Sequence, residues 1–146
     1  MKTESTKNQG FEGEFRFLSN FWMTPFTIDT WRWPSAEHAY QAIKSENTDD
    51  WRMIQRLPHP REAKAAGAKL NLRPNWDQLK IQYMTEIINH KFNVPHLAEM
   101  LVNTGDMELV EWNYWNDTFW GVSIKTHKGH NYLGKILMEK RRSLQA

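Results

Sequence analysis

The stretch Trp33-Pro34-Ser35-Ala36-Glu37-His38-Ala39-Tyr40-Gln41-Ala42-Ile43-Lys44 decides how the rest of the chain is read. Pro34-Ser35 opens a helix. Ser35 is an N-cap whose hydroxyl can accept from the open N–H groups of the first turn, and Glu37 lies where the positive helix end favours a carboxylate. The pattern predicts a helix to about Glu46. At roughly 100° per residue, Ala36, Ala39, Tyr40 and Ile43 form one stripe, expected to pack inward. Glu37, Gln41 and Lys44 form a second stripe about a quarter turn away, which sets a carboxylate, an amide and an amine along one line.

Upstream, residues 1–10 are polar and, as far as Gln9, free of aromatics, and read as a mobile tail. Phe15 and Phe17 alternate with Glu14 and Arg16, which predicts a strand. Phe26 and Ile28, then Trp31 and Trp33, flank Asp29-Thr30 as a short hairpin. Downstream, Thr48-Asp49-Asp50 starts a helix with Trp51, Ile54 and Leu57 as its buried face, broken by Pro58 and Pro60. Arg61 to Leu70 resumes with Ala63, Ala66, Gly67 and Leu70, a small-residue face suited to close contact. Pro74-Asn75 opens a longer helix over 75–91, with Leu79, Tyr83, Ile87 and Ile88 inward. Pro95 to Thr104 forms another, closed by Gly105 at a left-handed position. Glu108 to Trp112 predicts a strand and 113–130 a long loop. The last helix starts near Asn131 and aligns Leu133, Ile136, Leu137 and Lys140. Six helices and three or four short strands without regular βαβ alternation predict an α+β fold, mainly helical, in a single compact domain over 11–146.

The chain has 146 residues, a length that suits one domain. It has eight tryptophans and no cysteine, which excludes disulfides, thiolate metal sites, Fe–S clusters and thiol catalysis. Nineteen basic against seventeen acidic residues leave a net charge of +2, too balanced to demand a nucleic-acid partner. No apolar run approaches the roughly 18 residues of a spanning helix, so the expectation is a soluble cytoplasmic protein with no membrane partner. There is no GxGxxG, no P-loop and no GxSxG elbow. His127 and His130 read as solvated loop histidines, so no metal and no cofactor are expected.

Three segments can carry chemistry. The Glu37, Gln41 and Lys44 stripe suits either a solvated helix face or a site, and it follows directly on Phe21, Trp22, Trp31 and Trp33, which could wall a pocket. A carboxylate beside rings loses hydration and gains the ability to exchange protons near neutral pH. A desolvated lysine can serve as an amine nucleophile, or as a phosphate anchor if charged. Asn116-Asp117-Thr118-Phe119-Trp120-Gly121 is either an Asx-type turn with an anchoring Trp or a loop that supplies a carboxylate and a ring to the same pocket. In Gly129-His130-Asn131-Tyr132-Leu133-Gly134, Asn131 caps a helix whose N–H groups either simply start it or receive a phosphate.

The order of these segments has a family resemblance. Phe17-Leu18-Ser19-Asn20-Phe21 followed by Trp33 to Lys44 resembles the opening of the NADAR family, the YbiA-like N-glycosidases. Thr104-Gly105-Asp106, Glu108 to Glu111, Asn116-Asp117 with Trp120-Gly121, and Asn131 to Met138 resemble its second half, in order. The resemblance spans roughly residues 11–142. It implies a compact, mainly helical α+β fold and cleavage of N-glycosidic bonds in ribosylated, phosphate-bearing substrates. The substrate classes it implies are riboflavin-pathway ribosylamino-pyrimidine phosphates and ADP-ribose on guanine bases. The expected partner is therefore a nucleotide-like small molecule or ADP-ribosylated DNA or RNA, with no metal required.

By the same resemblance Glu37 matches the family's helix carboxylate, Lys44 its helix lysine, Asn20 the Asn of Ser-Asn-Phe, and Asp117 and Trp120 the Asn-Asp-x-x-Trp-Gly motif. The stretch 122–130 departs from the family, lacking the glycine- and aspartate-rich pattern of some bacterial members. The expected catalytic set is Glu37, Lys44 and Asp117, with Glu37 first for proton transfer and Lys44 as a Schiff-base nucleophile in one of two routes. The expected substrate contacts are Arg16, Asn20, Phe21, Trp22, Gln41, Asn116, Trp120, Gly121 and Asn131. Arg16, Asn20 and the helix start near Asn131 are the phosphate candidates. The alternative is a non-catalytic ADP-ribose or nucleotide reader. Of the tryptophans, Trp51, Trp76, Trp112 and Trp115 are assigned to packing, Trp31 and Trp33 to positioning the Glu37 helix, and Trp22 and Trp120 to the substrate.

Overall fold

The computed structural model describes residues 11–146, so the tail over 1–10 lies outside the described residues. The fold is α+β and mainly helical. By contacts the chain divides into two compact units, one running from Asn20 to Lys91 and the other combining the stretch up to Ser19 with Phe92–Ala146.

The Asn20–Lys91 unit is built around the helix read first. Strands β1 (Phe26–Ile28) and β2 (Trp31–Trp33) pair antiparallel with Phe26 opposite Trp33, and lead into α1 (Ala36–Ile43). Helices α2 (Thr48–Gln55), α3 (Pro60–Gly67) and α4 (Trp76–Lys91) follow. Helix α1 packs against all three and against β2. Its alanines make this possible: Ala36, Ala39 and Ala42 are buried and keep the helix thin enough for several neighbours. The second stripe is no surface, because every residue from Ala36 to Gln41 is buried, Glu37 included. Helix α1 ends three residues before the predicted Glu46, and α3 stops at Gly67 instead of Leu70. Trp76, Met84, Ile87 and Ile88 give α4 its buried face, with Leu79 and Tyr83 half-buried.

The other unit opens with a 3₁₀ helix over Gly13–Leu18, where alternation had predicted a strand. Gly13 at φ +58° turns the chain tightly, and the consecutive Phe17 and Leu18 are both buried. A strand points neighbouring side chains to opposite faces and buries only one of the two against a single core. Phe17 meets Phe92 edge-on at 6.3 Å. Helices α5 (Pro95–Val102) and α6 (Tyr132–Gln145) pack on each other, with Leu97, Leu101, Leu133 and Leu137 buried. Among the described residues, the strand predicted over Glu108–Trp112 is only β3 (Trp112–Asn113), and the predicted loop contains its partner β4 (Val122–Ser123), paired in parallel. Trp115, assigned to packing by its sequence, is 61% exposed beside the exposed Tyr114. The two rings sit in the loop between β3 and β4, outside either strand.

Candidate active site

Glu37 is buried, with 7% of the residue exposed. Three local features place it. Ser35 Oγ accepts from the His38 amide at 3.1 Å and caps α1. The Asn20 carbonyl accepts from the Glu37 amide at 2.9 Å, so the Ser19–Trp22 turn is stitched to the same helix end. His38, fully buried, locks the turn. Its Nε2 reaches the Leu57 carbonyl at 2.9 Å and its Nδ1 the Ser35 hydroxyl at 2.7 Å. A carbonyl only accepts, so Nε2 carries the proton and Nδ1 accepts. Burial holds the His38 pKa below the ordinary value, with the Leu57 bond opposing, which agrees with a neutral ring.

One turn on, Gln41 Nε2 donates to Glu37 Oε2 at 2.7 Å. The orientation of the amide follows, because the reverse would press two oxygens together. Gln41 Oε1 is then buried without a hydrogen-bond partner, as is Asn20 Oδ1. Asn20 Nδ2 reaches only the Met84 sulfur, at 3.5 Å. Gln41 is accommodated because position 67 is glycine: a Cβ there would overlap Gln41 Oε1 and sit 2.8 Å from Gln41 Cβ.

Lys44 follows the last turn of α1, half-buried, with Nζ 5.5 Å from the centre of the Tyr40 ring. Its pKa is lowered, first by burial and further by Lys64 and Lys80, while Glu37 pulls it back up. The carboxylate and the amine therefore act on each other, as the one-line spacing predicts. Two further amines, Lys64 and Lys80, add positive potential around them.

Sequence reasoning missed Arg73. Its Nε donates to the Ile43 carbonyl at 2.7 Å, Nη2 to the Ser45 carbonyl at 3.0 Å and Nη1 to Tyr83 Oη at 3.0 Å, and its own amide donates to the Lys44 carbonyl at 2.6 Å. The open carbonyls at a helix C-terminus attract a cation, and here they fix the backbone that carries Lys44. The only sequence signal is an arginine before Pro74, which has no periodic relation to α1. Of the remaining candidates in this unit, Phe21 is exposed and Trp22 half-buried, both in the turn that holds Asn20.

In the other unit, Asn116, Asp117, Trp120 and Gly121 share one loop. Asp117 Oδ1 accepts from the Phe119 and Trp120 amides at 3.0 and 2.9 Å, an Asx-type turn. Asn113, unremarked in the sequence, closes the loop. It accepts from the Asp117 amide and donates to the Asp117 carbonyl, both at 2.9 Å. Asn116 takes φ +65° at the bend. Gly121 is required by contact: a Cβ would overlap the Glu111 carbonyl and lie 2.8 Å from Asn113 Nδ2.

Asn131 differs from its expected role. It precedes α6 at φ +53° and makes no side-chain cap. Its side chain instead donates to the Leu109 carbonyl and accepts from the Glu111 amide, both at 3.0 Å. The Tyr132 and Leu133 amides, expected to be open to a phosphate, donate to the Phe119 and Trp120 carbonyls at 3.2 and 3.1 Å. Arg16 lies exposed on the 3₁₀ helix. Among the described residues, no three His, Asp or Glu side chains are arranged to hold a metal ion, and no helix is long and apolar enough to cross a membrane.

A family model described as the NADAR domain matches residues 7–145. This chain belongs to the NADAR family. The NMR structure of E. coli YbiA is similar with a TM-score of 0.82 and 31% identity, covering 96% of this chain and 90% of that one. N-glycosidase YbiA of Escherichia coli K12 is 36% identical over 130 residues, 87% of this chain and 80% of that protein. N-glycosidase Npun_R5314 of Nostoc punctiforme is 38% identical over 136 residues, 88% of this chain and 85% of that protein. Riboflavin biosynthesis protein VVA0006 of Vibrio vulnificus is 38% identical over 137 residues, but this NADAR chain spans only 35% of its length. The expected fold class and family both hold: this is a YbiA-like NADAR protein of mainly helical α+β fold.

Proposed function

We propose that this chain is an N-glycosidase that hydrolyses the bond between ribose and a base or amine nitrogen in a phosphate-bearing substrate, with Glu37 moving the proton. The observation that carries the reading is the buried Glu37 carboxylate, hydrogen-bonded by Gln41 and electrostatically coupled to the desolvated Lys44. The names of the YbiA and Nostoc relatives support the reaction class. A reader of nucleotides gains little from a buried acid and a softened amine side by side, since binding calls for rings and donors.

Departure of the base leaves positive charge at the anomeric carbon, shared with the ring oxygen. In the direct route Glu37 gives its proton to the leaving nitrogen as the C1–N bond breaks, and the resulting carboxylate takes a proton back from the water that attacks C1. In the lysine route the neutral Lys44 amine forms a bond to C1 as the base leaves with a proton. The ribose ring then opens to an iminium, which water hydrolyses to return the amine. Both end as free ribose hydroxyl and protonated base. The second route needs Lys44 without its proton, and burial moves it in that direction.

Lys64 and Lys80, whose charges reach Lys44, add positive potential of the kind a phosphate needs, whereas the Tyr132 and Leu133 amides at the α6 start are engaged. Asn20 Oδ1, buried and unpartnered, suits a ribose hydroxyl. Asp117 spends its Oδ1 on two amides, so we read it as shaping the loop that carries Trp120. A nucleotide-like substrate and a chain without cysteine fit a cytoplasmic setting.

The test is a substrate panel. Ribosylamino-pyrimidine phosphate and guanine-ADP-ribosylated oligonucleotide are each incubated with the protein, and release of base or of ADP-ribose is measured. Glu37→Gln should retain the fold and lose at least about a hundredfold in kcat. Full activity in Glu37→Gln would sink the assignment. Lys44→Ala with full activity, and no adduct trapped by borohydride, would leave the direct route alone.

A further inference from the structure

The Asn20–Lys91 unit holds a recess that the reaction does not use. Its cavity volume is about 170 Å³, smaller than a drug-sized site and suited to a ligand of a few heavy atoms. Ala39 and Ile43 of α1 form part of its lining. They lie about 100–160° around the helix from Glu37, Gln41 and Lys44, on a different face of it.

Its walls are aromatic and already fixed. Trp31 stacks on Trp33 at 5.6 Å with 12° between planes, and meets Trp51 edge-on at 5.3 Å. Trp51 Nε1 donates to the Ser45 carbonyl at 2.8 Å, which sets that indole's orientation. Tyr83 adds a fourth ring. The charged residues that line the recess are two carboxylates, Asp29 and Glu86, with no lysine or arginine. Cations already sit against two of these rings: the exposed Arg52 guanidinium lies 5.8 Å from the Trp31 ring centre and the Arg73 guanidinium 5.0 Å from that of Tyr83.

We propose that this recess binds a small organic cation with an alkylated ammonium group, held by the tryptophan faces and balanced by Asp29 and Glu86. The chemistry selects this class. Ring faces carry negative potential and attract a cation that gives up its water easily, and alkylation makes an ammonium such a cation. A metal ion would need converging oxygen ligands, and the recess is mostly ring and aliphatic carbon. A neutral purine would stack on the rings but would gain nothing from the two lining carboxylates.

The experiment titrates the full chain with choline and with its uncharged isostere 3,3-dimethyl-1-butanol. Calorimetry reads affinity, and the indole N–H resonances of Trp31, Trp33 and Trp51 read location. Choline should bind saturably and shift those resonances, and the isostere should bind at least about tenfold more weakly. The exposed-site pair Asp29→Asn with Glu86→Gln should weaken choline by about tenfold without unfolding the protein. Trp51→Phe should weaken it while leaving the other shifts in place. Equal binding of the isostere, no saturable choline binding, or unchanged affinity in the charge variants would overturn the proposal. Adenosine binding in the recess and ignoring the charge variants would replace it with a base-stacking site. None of these readouts involves turnover, so failure here and failure of the glycosidase reading are separate results.

Discussion

Gln41 and Gly67 touch where a side chain at 67 would not fit, and Gln41 hands the effect on to Glu37 through a 2.7 Å hydrogen bond. The absence of a Cβ on α3 thus positions a carboxylate on α1. Gly67→Ala should displace Gln41, loosen Glu37 and lower kcat, with KM changed less. Gln41→Leu should do the same and cost about 1–3 kcal/mol, since a buried carboxylate loses a donor. Kinetics with urea unfolding on both variants check this. Full kcat in folded Gly67→Ala would break the link between the glycine and the site.

How much of this was legible follows from what each residue's signal depends on. Ser35, Glu37, Gln41 and Lys44 declare themselves within ten positions, because a cap and a helical period are local. Their burial did not, since only the packing of α2, α3 and α4 around α1 turns a polar stripe into an interior one. Arg73 binds carbonyls thirty and twenty-eight residues upstream, a relation no pattern encodes. Asn113 and Asn131 each clasp backbone from elsewhere in their unit, and a lone asparagine in a loop looks the same whether or not it does so. The Phe15–Phe17 alternation misled because three residues fit a strand and a 3₁₀ turn alike.

Lys44 should show its environment in its chemistry. Its pKa lies below the ordinary 10.5 because burial disfavours the charge. Below that lowered pKa the amine is protonated and inert. As pH rises through it, reactivity with acetic anhydride should appear, with its half-point below 10.5 by peptide mass spectrometry. Glu37 opposes the shift, so Glu37→Gln should move the half-point lower still. If the half-point rises in Glu37→Gln, the two groups are not coupled as described.

Asn131 combines a left-handed backbone with two buried hydrogen bonds. Asn131→Ala keeps the backbone demand and removes both bonds, for an expected loss of about 2–4 kcal/mol. Asn131→Gly removes the bonds but relieves the backbone, so it should lose about 1 kcal/mol less than alanine. Thermal or urea unfolding gives both values. Equal stability of alanine and glycine variants would mean that φ +53° carries no strain here.

Lys91, at the end of α4, is fully buried, and burial lowers its pKa to about 7. In the unfolded chain the same amine titrates near the ordinary 10.5. Below about 7 both states hold the proton, and the folded state carries a buried charge. Between about 7 and 10.5 only the unfolded state holds it, so stability rises with pH, by at most about 1.4 kcal/mol per unit. Above 10.5 neither state is charged and the penalty is gone. Lys91→Met fills similar space without a charge. The stability difference between Lys91→Met and the native chain should therefore move in favour of the native chain as pH rises from 7 to 9. Urea unfolding of both proteins at pH 7, 8 and 9 measures the gap directly, and other titrating groups cancel in the difference. A gap that stays constant with pH would show that Lys91 keeps the same protonation in the folded and unfolded states.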